Sequence, residues 1–466
     1  MGIAESTSKQ QKPSEPEETT VFEDRISNLP EPLLCYILSF LTTKEALATS
    51  ILSSRWKTLW TLVPILDLDD SELTFPDSSI GSWVFRSKNH HQTGYRFRFA
   101  DIVSRVWVLR NANPFPLQKF RLRWHYRCNS IDVDTWVHTA ISRGFLQELD
   151  LEVFLHQPFN LTSTLFNHAK PLVVLKLNGS IVINPPSSSS SSLGFPALKV
   201  LHLHSVEYAN HDSFWRFLTC CPVLQDLSVE SFSGNCPCNF KIIVPTLKIL
   251  HLHFLHLSYE LEINTPALEQ IHFRGQLSKD VLLKNLSNVV DAVVIESLYI
   301  SDDLEEFGNR VGYFIRALSN VKSLHLDSFT THCLYRASEF DPPMFHNLAL
   351  LKFDGCTSFR HGLLPLLRRS PNLEALLLQK IPADHEEKTS IFEWIVMSSH
   401  LKTIYFKGFD GSMDELQFVR HVLKEASFLE TMKLSSSCLN SEEKLHVLQE
   451  LLMFPRKSRT CQIEFI

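Results

Sequence analysis

A chain of 466 residues holds two or three ordinary domains, or one small domain and a long repeat array. Its 45 Lys and Arg against 51 Asp and Glu give a net charge of −6, so no basic field draws it to nucleic acid or to an anionic membrane surface. The longest dense apolar stretch, residues 33–41, is too short to insert stably across a bilayer, and ten cysteines without a secretory-signal pattern read as reduced thiols in cytoplasm and/or nucleus.

Residues 1–21 are rich in Glu, Ser, Thr, Lys and Pro and nearly free of apolar side chains, so a disordered tail is expected there. Met1-Gly2-Ile3-Ala4-Glu5-Ser6 fits the loose N-myristoylation pattern, which fixes so few positions that a chance match is the better reading. The character changes at Phe22. Leu29-Pro30-Glu31-Pro32 suits the first turn of a helix, and Leu34, Ile37, Leu38 and Leu41 recur at helical spacing. Thr42-Thr43 and Glu45 suit the start of a second helix with Leu47 and Ile51 on one face, and the run from Ser53 through Trp60 closes the unit. Three helices in about 40 residues make a core too small to stand easily alone, so a partner or neighbouring domain is expected to complete it.

Asp24-Arg25-Ile26-Ser27-Asn28-Leu29-Pro30, Ile37-Leu38-Ser39-Phe40-Leu41 and Leu52-Ser53-Ser54-Arg55-Trp56 together resemble the F-box in its plant form, placed at residues 22–68. Thr42 stands where that family usually has proline, a change confined to the turn. The resemblance implies docking to a Skp-type adaptor, and through it to cullin and RING subunits of a ubiquitin ligase. The positions matching the motif, and so the candidate adaptor-binding residues, are Leu29, Pro30, Leu33, Ile37, Leu38, Leu47, Leu52 and Trp56.

Beyond the F-box a template of apolar, two others, apolar, one other, apolar recurs thirteen times, as in Leu146-Leu149-Leu151, Leu224-Leu227-Val229 and Leu373-Leu376-Leu378. Weaker copies start at Leu117, Val290 and Val321. From Leu117 to Leu429 twelve steps cover 312 residues, a mean of 26, inside the roughly 20–29 residues of leucine-rich repeats. Each unit is a strand with alternate residues inward and a segment that returns the chain, and only stacked units share a core. The expected fold is therefore α/β: a three-helix F-box, then over residues 69–400 an irregular solenoid with parallel strands on its concave face and helices and loops on its convex side. Helical returns are expected near 214–219, 304–318 and 415–426; the 21–23-residue steps between Leu224 and Val290 leave no room for a full helix. The poly-Ser run at 187–192 reads as a loop. Where the usual repeat has Asn or Cys, this chain has Phe154, Val206, Phe232, Leu255, Phe329 and Phe409, with only Cys356 conforming, which suggests a buried apolar spine.

Ile404-Tyr405-Phe406-Lys407-Gly408-Phe409, Glu415-Leu416-Gln417-Phe418-Val419 and Leu429-Glu430-Thr431-Met432 resemble the FBD segment of plant F-box/LRR proteins. Read from the residues, 401–466 is the last repeats plus a strand that caps the solenoid.

No phosphate-binding loop, nucleophile elbow or zincin motif is present, Asp384-His385-Glu386-Glu387 lacking a second histidine. No cofactor, metal or catalytic residue is assigned. Cys236-Pro237-Cys238 with His251 and His253 is spaced poorly for zinc and reads as loop thiols and surface histidines. Arg456-Lys457-Ser458-Arg459 is a short basic cluster inside the C-terminal motif and a weak nuclear signal.

Residues between the inward positions point out of the sheet, giving a central row Arg121, Asp150, Lys176, His202, Ser228, His251, His272, Val294, His325, Lys352, Leu377, Tyr405, Lys433. Two readings stand: a solvated polar face, or a surface for a client protein with histidines whose charge follows pH. The candidate client-binding residues are Lys176, His202, His251, His272, His325, Lys352 and Tyr405. At the start of the array, Lys119, Arg121 and Arg123 are expected opposite Glu148, Asp150 and Glu152 in three ion-paired rungs. The functional expectation is a substrate receptor of a ubiquitin ligase; a small-molecule co-receptor and a non-ligase scaffold are the alternatives.

Overall fold

The computed structural model describes residues 26, 28–71, 99–112, 115–125, 129–155, 157–161, 163–186, 194–231, 238–255, 259–296, 304–337, 341–355, 359–380, 400–436 and 439–466. The expectations for the N-terminal tail and Gly2, the poly-Ser run, Phe232, Cys236-Pro237, Cys356 and Asp384-His385-Glu386-Glu387 lie outside these residues. The chain divides into two compact units, Met1–Val63 and Pro64–Ile466.

In the first unit Pro30 caps helix Glu31–Leu38, whose first turn holds Pro32, where a missing N–H leaves no intrahelical bond unmade. Thr42 starts helix Thr43–Ala48 with a reciprocal cap: its N–H donates to Glu45 Oε2 at 2.9 Å and its hydroxyl accepts the Glu45 N–H at 3.3 Å. Threonine at the family's proline position therefore makes the turn by a different bond. A helical turn Trp56–Leu59 follows, and Leu34, Leu38, Ala46, Trp56 and Leu59 are buried. Arg55 closes the unit by donating from its guanidinium to the Leu29 carbonyl at 2.6 Å.

The second unit is built on one parallel sheet of fifteen strands, running in chain order from Ile65–Asp69 through Lys119–Trp124 and Glu148–Val153 to Thr431–Ser435 and Gln462–Phe465. Residues 65–68, grouped with the F-box in the sequence, are thus the opening strand of this sheet. Along most strands alternate side chains are buried, and rings on that side meet helix rings: Phe120 meets Trp107, Trp124 meets Trp136, and Phe273 meets Phe314. The helices accordingly cover the buried face, and the other residues of each strand form the open face, the concave one of the expected solenoid.

Helices Ser213–Thr219, Leu304–Arg316 and Met413–Glu425 fall where the long steps required them. The short steps return instead through strands Cys238–Ile243, Tyr259–Asn264 and Asp280–Lys284, which pair as a second small parallel sheet. An extended return needs few residues because each spans about 3.3 Å, against 1.5 Å in a helix. Gly275 ends one repeat at φ +116°, where a Cβ would lie 1.8 Å from the Phe254 carbonyl oxygen, so the crossing there admits only glycine.

Two sequence expectations need correction. The strand Asp291–Glu296 is shifted by one residue: Val294 is buried, and Val293 occupies the open-face row beside His272. The run of valines made both registers apolar, and only pairing with the neighbouring strand decides between them. The apolar spine is also incomplete. Phe409 and Val206 are buried, Leu255 and Phe329 are half-buried, and Phe154 is 43% exposed. Phe154 lies past the end of its strand and stacks on the His125 ring at 5.5 Å instead of turning inward.

Candidate functional site

Two surfaces carry candidate function, one in each unit. Of the F-box positions, Leu38 and Trp56 are inside the small core at 1% and 4% exposure, and Leu29 is half-buried. Pro30, Leu33, Ile37, Leu47 and Leu52 are exposed. The motif residues thus divide into a set that holds the helices together and a set that presents apolar surface. The sequence reading missed Tyr36, Phe40, Leu41 and Ile51, which extend that surface; Phe40 is 72% and Ile51 87% exposed. Tyr36 and Phe40, four residues apart, meet edge to face at 5.0 Å. The signal was available: Pro-Leu-Leu-Cys-Tyr-Ile-Leu is apolar around the whole helix, more than the small core beneath it can enclose.

The open face of the sheet is continuous. Asp67, Arg121, Asp150, Lys176, His202, Ser228, His251, His272, Val293, His325, Lys352, Leu377, Tyr405, Lys433 and Glu464 are paired strand to strand in one register. All seven candidate client-binding residues lie in this row, each half-exposed.

Its first strands pair every one of their lysines and arginines with a carboxylate. Lys119 pairs with Glu148 at 2.8 Å, Arg121 with Asp150 at 3.8 Å and Arg123 with Glu152 at 3.3 Å, in the register expected from the sequence. The opening strand adds a rung, with Asp67 3.1 Å from Arg121 and Asp69 3.6 Å from Arg123. At half-exposed sites such pairs contribute about 0.2–1 kcal/mol each and chiefly fix register. His125 ends the ladder between Asp70 and Glu152, both at 2.9 Å; burial disfavours its charge, but these two hydrogen-bonded carboxylates prevail and hold its pKa above the ordinary value.

The middle strands differ. The central row supplies His202, His251 and His272, and the next outward row, which the sequence reading did not follow, adds His204, Glu230, His253 and Arg274. His253 Nδ1 is 2.8 Å from Glu230, His204 Nε2 is 2.9 Å from Ser228 Oγ, and the His251 and His272 rings meet at 4.5 Å. Burial holds the His204 pKa below the usual imidazole value, with His202, His253 and Lys176 adding to this and Glu230 opposing it. Burial also lowers His251, with His272 and His202 adding and Asp226 opposing. Among the described residues no set of three or more His, Cys, Asp or Glu is arranged to hold a metal ion. Further along, His325 Nε2 is 2.9 Å from Asp354, and Leu377 and Tyr405 follow as an apolar stretch.

The C-terminal segment is tied to the preceding repeats by a charge cluster around the buried Glu415. Lys380, ending strand Ala375–Lys380, pairs with Asp410 and lies 2.9 Å from Glu415 Oε1, while the Asp410 and Gly411 N–H groups donate to Glu415 Oε2 at 2.8 and 3.0 Å. Burial, aided by Asp410 and opposed by Lys380, raises the Glu415 carboxyl to about 7.

An F-box unit followed by a leucine-rich parallel sheet defines the class of F-box/LRR proteins. Residues 26–68 match the family model of the F-box domain, 133–305 that of "FBD-associated F-box protein At5g56370, LRR repeats", and 396–434 that of the FBD. The chain is 30% identical to Probable FBD-associated F-box protein At1g32375 of Arabidopsis thaliana, over 95% of this chain and 100% of that one. F-box/FBD/LRR-repeat protein At4g26340 of the same plant is 29% identical over the same shares of each chain. The chain belongs to the FBD-associated F-box/LRR-repeat family.

Proposed function

We propose that this chain is the substrate-receptor subunit of an SCF-type (Skp–cullin–F-box) ubiquitin ligase, docking a Skp-type adaptor through the exposed F-box residues and a client protein through the open face of the sheet. The observation that carries the reading is the apolar surface of the F-box unit: Leu33, Tyr36, Ile37, Phe40, Ile51 and Leu52 are exposed around a small core of Leu34, Leu38, Ala46, Trp56 and Leu59. A large exposed apolar patch marks a binding site, and burying one such aliphatic side chain contributes about 1.5–3 kcal/mol. The chain acts by holding client and adaptor together, and the transfer chemistry belongs to its partners. Reduced cysteines at 35, 220, 221, 333 and 461 fit work in cytoplasm and/or nucleus.

The test is a client-trapping comparison of the parent with an Ile37→Ala, Leu52→Ala double variant, both proteins proximity-labelled with and without proteasome inhibition. The reading expects a set of clients that both proteins bind but that only the parent marks with ubiquitin. Equal ubiquitination by a folded variant overturns it.

A further inference from the structure

The histidine band has properties that the rest of the open face lacks. Its strands Val200–His204, Asp226–Ser231, Ile249–Phe254 and Gln270–Gly275 are adjacent and in register. They bring His202, His204, His251, His253 and His272 onto one surface, three strand spacings of about 4.8 Å across. His204, His251, His253, His272, Glu230 and Arg274 line a shallow depression there. The fixed charges facing these rings are Lys176 from the preceding strand, Asp226, Glu230, Arg274, and Asp291 from the following one. Two cations against three carboxylates leave the band one charge negative while its imidazoles are neutral. Each imidazolium formed adds one positive charge, so the band becomes positive once two of the five have formed.

The carboxylates within the band are already taken up by individual rings. Glu230 lies 2.8 and 3.5 Å from His253 and His204, Asp226 3.7 Å from His202, and Asp291 4.0 Å from His272. The His251 and His272 rings meet at 4.5 Å, and Arg274 is exposed beside them. When these two rings are protonated they repel each other and Arg274, and an anion seated here relieves that repulsion. By linkage, whatever binds the protonated form draws protons in.

We infer that this band is the docking site for a carboxylate-rich segment of the client, and that protonation of its histidines is coupled to docking. The inference rests on the open face being the client surface and names the chemistry of what it takes. The sign follows from charge: acidification turns the band from repelling to attracting such a segment. The ion-paired ladder on the first strands offers far less of this response, because it carries one histidine, His125, and that ring is already held between Asp70 and Glu152.

The experiment uses the full chain and a fluorescein-labelled dodecapeptide of alternating glutamate and alanine, with a lysine–alanine dodecapeptide as control, at constant ionic strength between pH 5.5 and 8. The parent is expected to bind the glutamate peptide at least tenfold more tightly at pH 5.5 than at pH 7.5, and the lysine peptide no more tightly. His251→Gln with His272→Gln should remove most of that gain, with circular dichroism showing the fold retained. His272→Lys supplies the charge at every pH and should tighten binding at pH 7.5 severalfold. A gain with acid that survives in the double glutamine variant, or no preference for glutamate over lysine, overturns the inference. Clients captured equally by parent and double glutamine variant at both pH values overturn it too while leaving the receptor reading intact. Loss of adaptor docking defeats that reading and leaves the peptide result standing.

Discussion

The two units handle apolar surface in opposite ways. The sheet of the second unit places Phe273 at 1% exposure against Phe314 and Phe254, and repeats that packing from strand to strand. The F-box unit encloses a handful of side chains, such as Leu34, Leu38 and Trp56, and leaves a comparable number of large ones outside. A stack of repeats shares one continuous core, whereas a unit of about 40 residues cannot surround its own apolar residues. The difference teaches where stability resides: buried apolar residues of the sheet hold the fold, while the exposed ones of the F-box add little to it and form the surface proposed for the adaptor.

The comparison breaks first on core truncation. Phe273→Ala should cost about 3–5 kcal/mol through the cavity it leaves, whereas Phe154→Ala, at a half-open site on His125, should cost under about 1 kcal/mol. Urea unfolding of both variants beside the parent checks this. Equal losses would mean that the apolar positions past the strands form one buried spine after all.

That pair of phenylalanines also marks how far the sequence could be read. Strand positions were legible because leucines at fixed spacing admit a single inward register, and the ion-paired rungs followed from that register. At Val289-Val290 and Val293-Val294 the apolar doublets fit two registers, so the choice fell to His272 and its neighbours across the sheet. Side chains beyond a strand end, like Phe154, are set by whichever ring lies nearby, which no local pattern encodes. Several returning helices, Phe99–Asn111, Ser130–Ser142 and Ser441–Met453 among them, were passed over because the repeat template marks the strands and says little of the segments between them. One was legible in retrospect: Asn440 and Glu443 form a reciprocal cap at the start of Ser441–Met453. In the site, the central row was read from alternation, but following it two residues outward would have found His204, His253 and Glu230 as well.

A smaller effect sharpens the picture at the C-terminal segment. The Glu415 pKa is raised above its unfolded value, so the folded state binds the extra proton and stability falls as pH rises from about 4.5 to about 7. Glu415→Gln removes this dependence, and the variant should gain on the parent by about 1–3 kcal/mol across that window. Thermal melts at several pH values read the difference, and a constant offset between the two proteins would mean that Lys380 keeps the carboxylate charged throughout.

The most direct test of the central claim is a binding titration of purified Skp-type adaptor against the full chain. Ile37 and Leu52 are exposed, so replacing both with Ala leaves the buried Leu34, Leu38 and Trp56 in place. Loss of two buried aliphatic contacts, about 1.5–3 kcal/mol each, predicts a Kd raised roughly a hundredfold or more, with far-ultraviolet circular dichroism and melting unchanged. An adaptor Kd within about threefold of the parent's in that folded variant would contradict the assignment of this surface as the docking site.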